Sequence, residues 1–170
     1  STAFRASDGH RLWSHKDAGS NVRLFSDYLV LFNPYRFTVL DRQDGGIHWQ
    51  LEEARVCSIE LSEELFYIIG DEALTAFDPR SGDVVWQYEF RFGGGSGDKK
   101  LKLSGDTLYG IVEGTTYKGY DTFALDAETG TLLWGQKRIR GTDMKTDGEL
   151  VYVSTYERDS FLTSALVDDK

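Results

Sequence analysis

Residues 124–134 read ALDAETGTLLW, and three more stretches of the chain align with them without gaps. Residues 3–13 read AFRASDGHRLW, residues 39–49 VLDRQDGGIHW, and residues 76–86 AFDPRSGDVVW. The seventh position is always glycine: Gly9, Gly45, Gly82 and Gly130. The eleventh is always tryptophan, and Trp13, Trp49, Trp86 and Trp134 are all the tryptophans of the protein. Three of the four motifs carry aspartate third, at Asp41, Asp78 and Asp126, while the first has Arg5 there. An apolar pair thus runs into a polar turn ending on glycine, then into an apolar run ending on tryptophan. Glycine can take positive φ at a turn, so each motif predicts a β-hairpin closed through a bulge.

Successive tryptophans lie 36, 37 and 48 residues apart, the period of a four-stranded propeller blade. Two shorter strands are expected between motifs. These are Val22–Ser26 with Tyr28–Phe32, Val56–Leu61 with Leu65–Ile69, Leu101–Leu103 with Thr107–Val112, and Met144–Thr146 with Leu150–Thr155. The continuous apolar runs Tyr28–Phe32 and Leu65–Ile69 predict strands buried on both faces. No stretch shows a helical period. The fold class expected is therefore all-β, a propeller of four-stranded antiparallel blades with about four blades present. The long third interval holds a Gly93–Gly97 run (GGGSG), which also has the composition of an inserted flexible linker, and the connection Glu113–Tyr120.

The pattern A-x-D-x-x-T-G-x-x-x-W, complete in Ala124, Asp126, Thr129, Gly130 and Trp134, resembles the tryptophan-docking motif of pyrroloquinoline-quinone-type propeller repeats. That family includes quinoprotein dehydrogenases and an envelope lipoprotein that helps assemble outer-membrane barrels. The resemblance implies that Trp13, Trp49, Trp86 and Trp134 wedge between successive blades. With Arg5 in place of aspartate, the first motif's turn is expected to be less well tied. A fifth motif starting at Ala165 would place its tryptophan beyond Lys170. One partial propeller domain over residues 1–170 is the expectation, belonging to a seven- or eight-bladed ring. A closed four-bladed ring is the alternative.

Composition narrows the function classes. The chain of 170 residues carries a formal net charge of −9, which argues against a general affinity for nucleic acid or anionic membranes. A single cysteine excludes a disulfide framework and a CxxC site, and also the adjacent cysteine pair of the quinone enzymes. No apolar run reaches the roughly 18–20 residues of a membrane-spanning helix. No GxSxG, P-loop or zinc pattern is present. His10, His15 and His48 read as strand-end side chains rather than a metal triad, and Cys57 as a small buried hydrophobe on a strand. Glu52-Glu53, Glu63-Glu64 and Asp168-Asp169 read as solvated turns, and Asp143–Glu149 lacks the alternating ligands of a calcium loop. Tyr117 and Tyr120 in the long connection, with the basic cluster Lys137, Arg138 and Arg140, are the candidate partner contacts, the equal alternative being that one or both tyrosines tuck against the blade edge.

These observations favour a non-enzymatic, protein-binding scaffold with no cofactor, located in the periplasm or outside the cell. Its partner would be another protein, the remainder of the propeller, or a second copy. The alternatives are a segment of a quinone-dependent dehydrogenase using pyrroloquinoline quinone with calcium, and a self-assembling half-propeller.

Overall fold

A computed structural model describes residues 1–16, 19–52, 55–92, 99–112, 116–118, 120–137, 139 and 141–155. Among these residues every regular element is a strand. The chain begins with the hairpin β1 (Thr2–Phe4) and β2 (Arg11–Ser14). Next comes an antiparallel meander of β3 (Asn21–Phe25), β4 (Tyr28–Asn33), β5 (Arg36–Asp41) and β6 (Ile47–Glu52), hydrogen-bonded in that order. A second meander follows, of β7 (Ser58–Leu61), β8 (Phe66–Ile69), β9 (Ala73–Phe77) and β10 (Val84–Glu89). The short β11 (Arg91–Phe92) precedes the third meander. That sheet contains β12 (Lys99–Ser104), β13 (Thr107–Val112), β15 (Thr122–Asp126) and β16 (Leu132–Gln136). Between its second and third strands, β14 (Thr116–Lys118) turns back to pair with β11. The hairpin β17 (Gly141–Thr146) and β18 (Val151–Thr155) completes the described chain.

Each tryptophan motif forms the last two strands of a blade, because its turn suits a bulged hairpin and nothing longer. All four hairpins shift register at the same place, between the first and second motif residues: Ala3/Phe4, Val39/Leu40, Ala76/Phe77 and Ala124/Leu125. The four turn glycines sit at φ of +70°, +74°, +75° and +70°, a region that penalises any residue with a Cβ.

Period-two alternation sorts the core. On β8, Phe66 and Ile68 face the first meander and share a cluster with Val30, Phe37, Val39 and Trp49. Tyr67 and Ile69 point the other way and share a cluster with Leu108, Val112, Phe123 and Leu125 of the third meander. All four β8 residues are buried, as the continuous apolar run required. The sheets therefore stack face to face as blades. The first strands β7 and β12 lie alongside one another, as do β12 and β17. The architecture is an all-β partial propeller.

Two segments differ from the sequence reading. Part of the connection 113–120 is not a loop, because Thr116–Lys118 is a strand paired with Arg91–Phe92. Cys57 lies ahead of β7 instead of within it, and it is exposed. Its amide still donates to the Ile69 carbonyl at 2.9 Å, so the ladder continues one residue past the strand.

Candidate functional site

Three joints between blades are built from the motif alone. The Trp13 indole N–H donates to the Arg42 carbonyl at 3.1 Å, Trp49 to Pro79 at 2.8 Å, and Trp86 to Ala127 at 3.1 Å. Arg42, Pro79 and Ala127 are each the fourth residue of the next motif. The turn glycine of that next motif lies under the ring. A Cβ on Gly45, Gly82 or Gly130 would fall 2.6 Å from the indole of Trp13, Trp49 or Trp86. The absence of a side chain there lets the ring close over the turn backbone. Trp49 also stacks between Phe37 and Phe77, with centroids 5.3 and 5.8 Å away. It is 8% exposed, whereas Trp134 is 39% exposed and meets Tyr109 of its own sheet at 6.1 Å.

The third-position aspartates tie the turns. Asp41 Oδ1 accepts from the Gln43 amide at 2.6 Å, Asp78 Oδ1 from Arg80 and Ser81 at 2.8 and 2.9 Å, and Asp126 Oδ1 from Thr129 at 2.8 Å. These bonds hold the three carboxyls below their ordinary range. The leading causes are the Gln43 amide for Asp41, the Ser81 amide for Asp78, and the Thr129 hydroxyl for Asp126.

The first motif keeps the backbone bonds of the other turns but lacks the third-position carboxylate bonds, so its turn is less well tied, as expected. Gly9 N donates to Arg5 O at 2.9 Å and Arg5 N to His10 O at 2.8 Å, matching the backbone bonds of the aspartate turns. Asp8, sixth in the motif, makes the bond that Asp44, Ser81 and Thr129 make at that position in the other turns. Its Oδ1 accepts from the His10 amide and its Oδ2 meets Arg5 Nη1, both at 2.9 Å.

The candidate partner residues divide. The side chain of Tyr117, and all of Arg138 and Arg140, lie outside the described residues. Tyr120 is half-buried and packs against the core cluster of Phe90 and Phe123, the tucked alternative to an exposed partner contact. The reason is local: a Cβ on Gly135 would collide with the Tyr120 ring, so glycine there lets the ring lie flat on β16. Lys137 is exposed and stands 5.9 Å above that ring.

The histidines do not converge on one another. His48 Nε2 lies 3.7 Å from Asp41 Oδ2 and its ring meets Tyr28 edge-on at 5.1 Å, while the His10 amide closes its own turn. Among the described residues no group of three His, Cys, Asp or Glu side chains could hold a metal ion. Asp147 caps its turn through the Glu149 and Leu150 amides and accepts from the Tyr152 hydroxyl at 3.0 Å.

Sequence reasoning missed two features. One is a polar knot in which Lys99 Nζ, 3% exposed, lies 3.3 Å from Asp71 Oδ1 and 3.6 Å from Cys57 Sγ. Burial pushes the Cys57 thiol up, against the pull of the Lys99 charge. The other is an apolar rim. The two residues before each tryptophan sit on the outermost strand of a blade, and Leu12, Val85 and Leu133 are 51%, 52% and 53% exposed. Ile47, Val84 and Leu132 are exposed beside them. The available signal was an apolar residue at the ninth or tenth position of every motif and at both in the last two, with Arg11 and His48 as the exceptions.

Four-stranded blades joined by indole–carbonyl bonds define a β-propeller repeat protein. The family model for the outer membrane protein assembly factor BamB matches residues 2–109 and again residues 70–166. The chain belongs to that BamB family. BamB from Moraxella catarrhalis is structurally similar, with a TM-score of 0.63 at 21% identity, over 88% of this chain and 47% of that one. The WD40 domain of Toxoplasma gondii coronin gives 0.60 at 13%, over 85% and 42%. Quinohemoprotein alcohol dehydrogenase from Comamonas testosteroni gives 0.59 at 15%, over 80% and 32%. At these identities the likenesses establish the fold alone. The chain spans a third to a half of the length of these structures. No curated protein sequence matches it significantly.

Proposed function

We propose that this chain is a non-enzymatic propeller scaffold of the cell envelope, in the periplasm, that binds protein during outer-membrane protein assembly. Family membership supports the process. The observation that carries the binding role is the exposed apolar rim at Leu12, Val85 and Leu133, with Ile47 in the second blade, where His48 takes the equivalent place. Rows of exposed apolar side chains bordered by polar surface are what a protein partner can desolvate. The Tyr120–Lys137 pair adds a cationic contact beside that rim.

The test is complementation in cells depleted of the full-length protein. Depletion lowers the level of outer-membrane β-barrel proteins and the wild type restores it. A Val85→Asp/Leu133→Asp variant with unchanged melting fails to restore it. Full restoration by that variant would overturn the reading. A dehydrogenase segment remains the competing proposal, and saturable uptake of pyrroloquinoline quinone with calcium, coupled to dye reduction, would replace the scaffold with it.

A further inference from the structure

Four charged residues occupy one register position on the first strands of four successive sheets. Across the ladder, Arg23 pairs with Val30, Glu60 with Tyr67, Lys102 with Tyr109 and Lys145 with Tyr152. In the three complete meanders these partners stand opposite the first motif residue, Val39, Ala76 and Ala124. The position is therefore equivalent by topology, and the blade stack brings its members together. All four line one cleft of about 460 Å³ between β3, β7, β12 and β17, along with Lys100 and Asp143.

The charges do not balance. Four cations, Arg23, Lys100, Lys102 and Lys145, face two carboxylates, Glu60 and Asp143. Lys100 Nζ lies 3.7 Å from Asp143 Oδ1, both side chains about half exposed, so the pair is weak. Glu60 feels the charges of Lys102 and Arg23 without closing an ion pair with either, and its burial pushes its carboxyl up. Lys145 has no carboxylate within ion-pair distance among the described residues. A cationic cleft thus occurs in a protein of net charge −9. Like charges gathered along one cleft gain most when an anion neutralises several at once.

We propose that this inner cleft binds a small multivalent oxyanion bearing phosphate or carboxylate groups, with Arg23, Lys102 and Lys145 as its counter-charges. The cleft has the size of a small-molecule site. Arg23 offers a planar fork suited to two oxygens of one group, and the lysines supply point charges on the neighbouring blades. The Glu60 charge opposes anions in the cleft, and a multivalent anion, which gains from several cations at once, outweighs it better than a singly charged one.

The experiment is calorimetric titration of the full-length protein with citrate and, separately, with pyrophosphate at low ionic strength. One saturable site is expected for at least one probe, weakening as salt is raised. Uptake of citrate alone identifies a carboxylate ligand, and uptake of pyrophosphate alone a phosphate ligand. Arg23→Gln/Lys102→Gln should lower the affinity roughly tenfold or more, since each removes a charge-assisted contact. Glu60→Gln should raise it several-fold, a gain that damage to the fold cannot imitate. The proposal is overturned if neither probe saturates, if the double variant binds as tightly as the wild type, or if Glu60→Gln binds more weakly.

Discussion

Replacing Gly82 with alanine tests the joint between blades at one atom. Two costs arise, and the structure separates them. The first is backbone strain: Gly82 sits at φ +75°, where an L-residue pays about 1–2 kcal/mol. The second is steric, because the new Cβ falls 2.6 Å from the Trp49 ring, against a comfortable carbon contact of about 3.5–4.0 Å. The indole must retreat by about an ångström. Phe37 and Phe77 hold its faces and its N–H holds the Pro79 carbonyl, so it cannot do so freely. Overpacking of this kind costs about 1–3 kcal/mol, which brings the total to about 2–5 kcal/mol. Gly9 and Gly105 supply the controls. They have φ of +70° and +55°, yet an added Cβ meets nothing within 4 Å, so alanine there costs only the backbone term of about 1–2 kcal/mol. Urea unfolding followed by tryptophan fluorescence reads all three variants, and Gly82→Ala should also redden the emission of Trp49. If the three lose equal stability, within about 0.5 kcal/mol, the docking argument is refuted.

Trp49→Phe should cost about 2–4 kcal/mol and Trp134→Phe under about 1 kcal/mol, since only the first indole is buried and bonded to the next blade; equal losses in urea midpoints would contradict this. Ser26 is the one non-glycine residue at positive φ among the described residues, at +49°, where the third meander has Gly105; Ser26→Gly should stabilise by about 0.5–1 kcal/mol in the same assay. Asp41, Asp78 and Asp126 titrate below the ordinary carboxyl value of 3.8 when folded, so the stability they contribute is complete above that value and is lost as pH falls through the folded ones. Urea midpoints should therefore drop between about pH 5 and pH 2, with a shallower drop in Asp78→Asn, and an identical slope in that variant would show that the turn bonds do not carry it.

How much of this was legible before the fold was known depends on how local each feature is. The motif hairpins were readable because the turn glycine, the third-position aspartate and the bulge all act within eleven residues. The double-sided burial of Phe66–Ile69 was readable because both faces of that strand are apolar in sequence. The weaker first turn was readable too, because the third-position carboxylate acts on amides two and three residues away, and Arg5 leaves that turn with only the sixth-position bond from Asp8 to the His10 amide. The sequence left Tyr120 open between an exposed contact and a tucked ring because Gly135, the residue that admits its ring, stands fifteen positions away on β16.

The amino-acid sequence by itself determined the repeating unit, its four-stranded period and the hairpin that closes each blade. Those follow from side-chain alternation and from the backbone freedom of single glycines, both short-range properties. Only the tertiary structure decided which carbonyl each indole meets, that Trp134 is left 39% exposed, and that Arg23, Glu60, Lys102 and Lys145 share one cleft. The joined residues lie some thirty to forty positions apart, as Trp49 and Pro79 do, or Trp86 and Ala127. Their meeting depends on how one sheet face packs upon the next, and no local pattern encodes that.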